Sequence, residues 1–246
     1  MTRVAICQSN YLPWKGYFDL IHDVDVFVFY DDVQYTKNDW RNRNKIKTPQ
    51  GVQWLTIPVG SHCHCRICDV KLQDSYWQKQ HWKTLAQRYG KALHFEVYRE
   101  FLEDVYLRRQ WDSLSELNQH LIITIAHDYL GLTTRFANSS QFHSAGTRQT
   151  RLLHLLREIG ADTYVSGPAA QAYLDTGEFD ANGIRVVWKD YSGYPEYPQL
   201  YPPFEHAVTI LDLLFHTGES ATRYIWGWRG PGVRPGNSLP MSVSHG

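Results

Sequence analysis

The chain has 246 residues, 43% of them hydrophobic, with 25 basic and 25 acidic side chains. That supports one large α/β domain or two small ones, and the balanced charge makes no electrostatic case for a nucleic-acid partner. No apolar run reaches the length of a membrane span and no signal-peptide core opens the chain, so a cytoplasmic protein without a transmembrane segment is expected. In chain order, Val4-Ala5-Ile6-Cys7 has the length of a buried strand. Gln8-Ser9-Asn10 follows as a polar loop and Pro13 punctuates it. Gly16 then opens an amphipathic run, Tyr17-Phe18 and Leu20-Ile21. In open parallel sheets ligands bind outside the carboxyl ends of strands, and a helix start there offers free N–H groups to an anion.

Residues 24–29 read as a second buried strand, ending in Tyr30-Asp31-Asp32. Two carboxylates at such a place suit a metal, an amine or a ribose hydroxyl; equally, Asp31 can cap a turn. Residues 37–47 alternate cations and amides around Trp40. Arg forks grip phosphate or carboxylate. On an extended hairpin Arg41, Arg43 and Lys45 project from one face, and Asn42 and Asn44 from the other. Residues 53–59 supply the second hairpin strand. His62-Cys63-His64-Cys65 with Cys68 could hold zinc or copper. No second Cys or His pair lies at a finger-like distance, so the stretch is read as a Cys/His-rich loop and no metal is assigned.

Helical spacing marks residues 74–89, with His81 as a core histidine on the apolar side, and residues 111–130. A strand at 133–137, a helix at 147–159 and a strand at 162–165 follow. Ser166-Gly167-Pro168 then repeats the strand-to-helix logic: the Ser166 hydroxyl and the Gly167 N–H could meet a phosphate before a helical run at 169–174. A strand at 184–188, an irregular Pro/Tyr-rich stretch at 191–203 and a helix at 204–215 close the pass. Asp212 interrupts the last helix's apolar face and needs a bonding partner. The expected fold is α/β: a parallel, Rossmann-like sheet flanked by helices, with an inserted hairpin and a helical layer at about 74–130. Residues 1–226 are expected to form a single domain, and residues 227–246 a flexible tail.

Gln8, Asn10, Tyr11, Pro13, Trp14, Gly16, Tyr17 and Phe18 resemble the opening signature of the WbqC-like proteins, roughly His-Gln-Pro-x-Tyr-x-Pro-Trp-x-Gly-Tyr-Phe. Cys7 replaces its His and Ser9 its Pro. The resemblance recurs at residues 31–35, 40–47, 166–168 and 173–175, at Tyr197-x-Gln199 and at 204–218, nearly the whole chain. It implies a product of surface-polysaccharide or O-antigen gene clusters, with a suggested glycyl-transfer role. The opening unit also looks like the adenylyl-transferring Rossmann-like group, including pantothenate synthetase. Trp14-Lys15-Gly16-Tyr17 lacks both histidines of that group's His-x-Gly-His signature.

The function expected on this basis is a group transferase or ligase forming an amide between a glycine-like amino acid and an amino-sugar or related amine. The alternatives are a non-catalytic nucleotide or sugar-nucleotide binder, or an adenylyl-transferase-like enzyme. Asp32, Tyr17 and Cys7 are the catalytic candidates. Asp32 would bind or deprotonate the amine, and Cys7, in a buried strand, would be a neutral thiol. Gln8, Asn10 and Trp14 would line the substrate. Arg41, Asn42, Arg43 and Lys45 would hold a small anionic ligand, such as a nucleotide or phosphorylated donor. Ser166 and Gly167 would contact the activated donor, with Tyr197 and Gln199 added by the resemblance.

Overall fold

The computed structural model describes residues 1–60, 64–143, 146 and 148–229. His62 and Cys63 of the Cys/His-rich loop, and the tail from residue 230, lie outside the described residues.

Five parallel strands form the central sheet: β1 (Arg3–Cys7), β2 (Val26–Phe29), β5 (Arg135–Asn138), β6 (Thr163–Ser166) and β7 (Arg185–Trp188), in the order β5-β2-β1-β6-β7. Its strands are short apolar runs because both faces are covered. Ala5, Phe27, Phe29, Val165 and Val187 pack on one face with α1 (Lys15–His22) and α7 (Ile210–Thr217). Val4, Val26, Val28 and Tyr164 pack on the other with Leu153 and Leu156 of α5 (Arg148–Ile159) and Phe179 of α6 (Thr176–Ala181). The chain leaves β1 toward β2 and β5, then returns to place β6 on the opposite side of β1. The strand order therefore reverses between β1 and β6, where doubly wound sheets open a crevice.

An antiparallel hairpin, β3 (Arg43–Thr48) and β4 (Gly51–Thr56), pairs Lys45 with Trp54. It buries Ile46, Leu55 and Ile57 against a layer of three helices: α2 (Tyr76–Tyr89), α3 (Phe95–Glu103) and α4 (Leu114–Thr124). Among the described residues no helix is long and apolar enough to cross a membrane.

Several boundaries differ from the sequence reading. The helix expected at 111–130 is α4 followed by a wide π-type turn, Ile125–Tyr129. The run at 169–174 is a tight 3-10 stretch, Pro168–Ala172, with Pro168 at its first position. The last helix starts only at Ile210, where the Thr209 hydroxyl accepts from Leu211 N. Gly227–Arg229 is an ordered turn, with Arg229 bound to the Asp19 carboxylate, so the chain stays anchored beyond the expected start of the tail.

His81 is a core residue. Its Nε2 meets Thr56 O at 3.1 Å and its Nδ1 meets the Tyr11 hydroxyl at 2.8 Å. A carbonyl only accepts, so Nε2 carries the proton and Nδ1 accepts from Tyr11; Tyr106 then donates to the Tyr11 oxygen. Burial pulls His81 down to about 4, from an ordinary value of 6.5. The unfolded chain therefore takes up the proton first as pH falls. The associated stability is complete above pH 6.5 and is lost between 6.5 and 4, by about 3 kcal/mol. Urea unfolding at pH 7 and pH 4.5 should show this loss, and His81→Gln should remove that part of the difference.

Candidate functional site

The site forms where Gln8-Ser9-Asn10 leaves β1 and meets Arg41, two residues before the hairpin's ordered pairing. Arg41 Nη1 donates to Asn10 Oδ1 at 2.9 Å, and Nη2 donates to Gln8 Oε1. Asp39 lies 3.3 Å from the same Nη2. A guanidinium has donors only, so it fixes both amides by their oxygens. The two NH2 groups are left without a protein partner among the described residues. Arg41 is itself held, since its carbonyl accepts from Asn118 Nδ2 of α4 at 2.8 Å.

The hairpin is joined to this loop from beneath. Asn44 Nδ2 donates to Tyr11 O and Leu12 O, at 3.2 and 2.7 Å. Asn42 Nδ2 donates to Ile57 O at 2.9 Å. Both asparagines are buried on the inner face, as the alternation requires. Asn42 is therefore a brace between the two hairpin strands. Arg43 and Lys45 occupy the outer face, but they stack on Trp54, 4.2 and 5.5 Å from its ring. Arg41 alone of the three cations turns to the loop, so the expected cluster of three is divided.

The chemistry of the expected catalytic groups is set by burial. Cys7 is pushed up to about 11 by burial, against the opposing pull of Arg41. The Tyr17 phenol donates to Gln8 O at 2.9 Å, and burial holds it well above its ordinary value. Asp32 accepts from Ser139 Oγ at 2.5 Å and pairs with Arg151, so its charge is already met. Asp31 differs. It accepts from Ser9 N at 2.8 Å, Gln119 Nε2 at 3.0 Å and the Ser115 hydroxyl, all neutral donors. No basic side chain among the described residues pairs with it. It lines a polar cavity of about 200 Å³ with Asp32, Glu116 and Gln119.

A family model of the WbqC-like proteins matches residues 8–224. The chain belongs to the WbqC-like protein family. It is also 48% identical over 227 residues to an uncharacterized protein of Mycobacterium tuberculosis, spanning 92% of this chain and 98% of that one.

In this WbqC-like chain the Pro-Trp-x-Gly part of the opening signature has a direct physical reading. The Trp14 ring lies across Gly16, where a Cβ would come within 2.3 Å of it. Only glycine admits the ring there. Tyr191 and Tyr194 pack against the same indole, at 5.3 and 5.9 Å. Ser166 and Gly167 share the sheet's carboxyl edge with Gln8. Ser166 is nearly buried with its hydroxyl 3.4 Å from the Tyr164 hydroxyl, and Tyr191 lies over Gly167. Tyr197 and Gln199 lie elsewhere. Both bond Asp212 Oδ1 at 2.8 Å, alongside Tyr89 on Oδ2. Burial raises Asp212, which these donors supply with the polar partners expected for it. Tyr197 also packs around Lys15, an ammonium caged with Tyr194 and Phe204 and pulled down by burial to about 8.

Among the described residues the candidate ion-holding group is Asp19, His22 and Asp23. The Lys189 ammonium already sits on both of its carboxylates. Asn118, Ser115 and Gln119 escape a reading of the sequence. Their only signal is a polar strip at helical spacing on α4, beside the apolar stripe of Leu114, Leu117 and Leu121.

Proposed function

We propose that this WbqC-like protein is a group transferase or ligase joining a glycine-sized amino acid to an amino-sugar or related amine through an amide. The observation that carries the site is Arg41 holding Gln8 and Asn10 by their oxygens just beyond the carboxyl end of β1. The freed NH2 groups form a donor surface backed by a cation, which suits a carboxylate or phosphate. Asp31, without a cation among the described residues, suits the amine better than the already paired Asp32. Amide formation from an activated acyl donor needs the amine nitrogen to attack the acyl carbon. The phosphate or nucleotide then leaves with the bonding pair, and the amine proton passes to a base such as Asp31. Positioning of the two reactants is the contribution this site offers. The polysaccharide setting comes from the family resemblance, with soluble precursors in the cytoplasm or at the inner membrane face as substrates.

One observation favours the second reading, a nucleotide or sugar-nucleotide binder without turnover: Cys7 and Tyr17 are held neutral and Asp32 is paired. A thermal-shift screen of nucleotides, sugar nucleotides, acyl-CoA compounds and amino acids tests the site. Anionic compounds should raise the melting temperature, and stabilisation by uncharged compounds alone would overturn the reading. Mass spectrometry of hits incubated with glycine and glucosamine then separates transferase from binder.

A further inference from the structure

Beside the donor surface lies a second cavity, of about 220 Å³, lined by Asn10, Pro13, Trp14, Trp40, Asn44 and Ala207. We infer that this slot is the subsite for a single uncharged sugar ring, a pyranose, lying between Trp14 and Trp40. Three observations argue for it. First, the walls are preformed. Trp14 is fixed on Gly16 and by Tyr191 and Tyr194, while Trp40 is held against Trp54 at 5.4 Å. Trp40 still leaves 40% of its surface exposed, so its ring is open to a ligand. The C–H faces of a pyranose fit such ring walls, and its hydroxyls stay in water at the open rim.

Second, the free polar side-chain nitrogen in the slot is a donor. Asn10 Oδ1 is taken by Arg41, leaving its NH2 free. Asn44 is fully used, with Nδ2 on two backbone carbonyls and Oδ1 accepting from Lys45 N at 2.7 Å. A nucleobase edge needs donors and acceptors at fixed places; a hydroxyl or acetamido oxygen needs one donor. Third, the slot is smaller than the roughly 300–1,000 Å³ of sites for drug-sized ligands, so it takes one ring and not a whole sugar nucleotide. Its lining residues carry no charge. Asn10 is shared with the Arg41 surface, so the ring and an anion would bind side by side. The assignment rests on the reading above only in making this ring part of the acceptor molecule, with its amine outside the slot.

The test uses N-acetylglucosamine, glucosamine and uridine as probes, with pyrophosphate as the anion. Saturation-transfer NMR on the full chain should show transfer to ring protons of at least one sugar. Trp40→Ala should abolish that transfer. Ala207→Phe, at an exposed position, should fill the slot and weaken the sugar at least tenfold. Stabilisation by pyrophosphate should survive Ala207→Phe. No transfer to any sugar, transfer unchanged in both variants, or uridine binding in place of the sugars would overturn the assignment. If Ala207→Phe abolishes sugar binding while pyrophosphate stabilises neither form, the slot stands and the anion site falls.

Discussion

Replacing Lys189 by methionine should destabilise the protein by about 3–5 kcal/mol, the range for removing one partner of a buried ion pair. Lys189 follows β7 and is fully buried under α1. Its ammonium lies 3.0 Å from Asp19 Oδ1 and also bonds Asp23. Arg229 binds Asp19 from 210 residues further along the chain, and Tyr194 donates to the same carboxylate at 2.5 Å. Two buried carboxylates face two cations, so the group is near neutral as a whole. Burial pushes Asp23 up, but hydrogen bonds from His22 and Lys189 outweigh it and hold the carboxyl below the ordinary range. Without Lys189 one carboxylate is stranded. The expected outcome is a lower urea midpoint at an unchanged slope, with much of the stability recovered by Lys189→Met combined with Asp23→Leu.

That network shows where sequence reading stops. The strands were legible because buried parallel strands are short, continuous apolar runs, and the polar turns at 8–10 and 166–168 marked their ends. The hairpin was legible from alternation, which correctly sent Asn42 and Asn44 to the opposite face from Arg43 and Lys45. Asp19, Asp23 and Lys189 carried no signal, because 166 residues separate Asp23 from Lys189. α3 went unread although Phe95, Tyr98 and Leu102 recur at helical spacing.

Replacing Arg41 by alanine should weaken binding of an anionic ligand by about 1.5–3 kcal/mol, the scale of a charge-assisted hydrogen bond, or roughly ten- to 150-fold. The guanidinium acts in two ways: it adds a positive charge behind the donor surface, and it orients both amides. Its removal frees Gln8 and Asn10 to rotate and present their oxygens. Arg41→Lys should recover little, because one ammonium cannot hold two amides in a fixed fork. Titration calorimetry with the best anionic hit of the screen checks this.

At the site the residue types were legible, but their division of labour was not. Gln8, Asn10 and Arg41 stood out by chemistry and resemblance, and Arg41 does converge with Gln8 across 33 residues of chain. Tyr197 and Gln199 stood out equally, yet they bond Asp212 behind α1. That Asp32 and not Asp31 is ion-paired depends on Arg151 of α5, which reaches Asp32 from 119 residues away. No local pattern around either aspartate encodes that pairing.

The central claim is that the amide NH2 groups, not the guanidinium itself, meet the ligand. Gln8→Glu tests it most directly, because the new carboxylate keeps Arg41 bound as an ion pair while removing one pair of donors. Calorimetric titration of pyrophosphate, alongside a melting curve, should show an unchanged or higher melting temperature with binding weakened more than tenfold. Binding equal to that of the unaltered protein would contradict the account and place the ligand elsewhere on the chain.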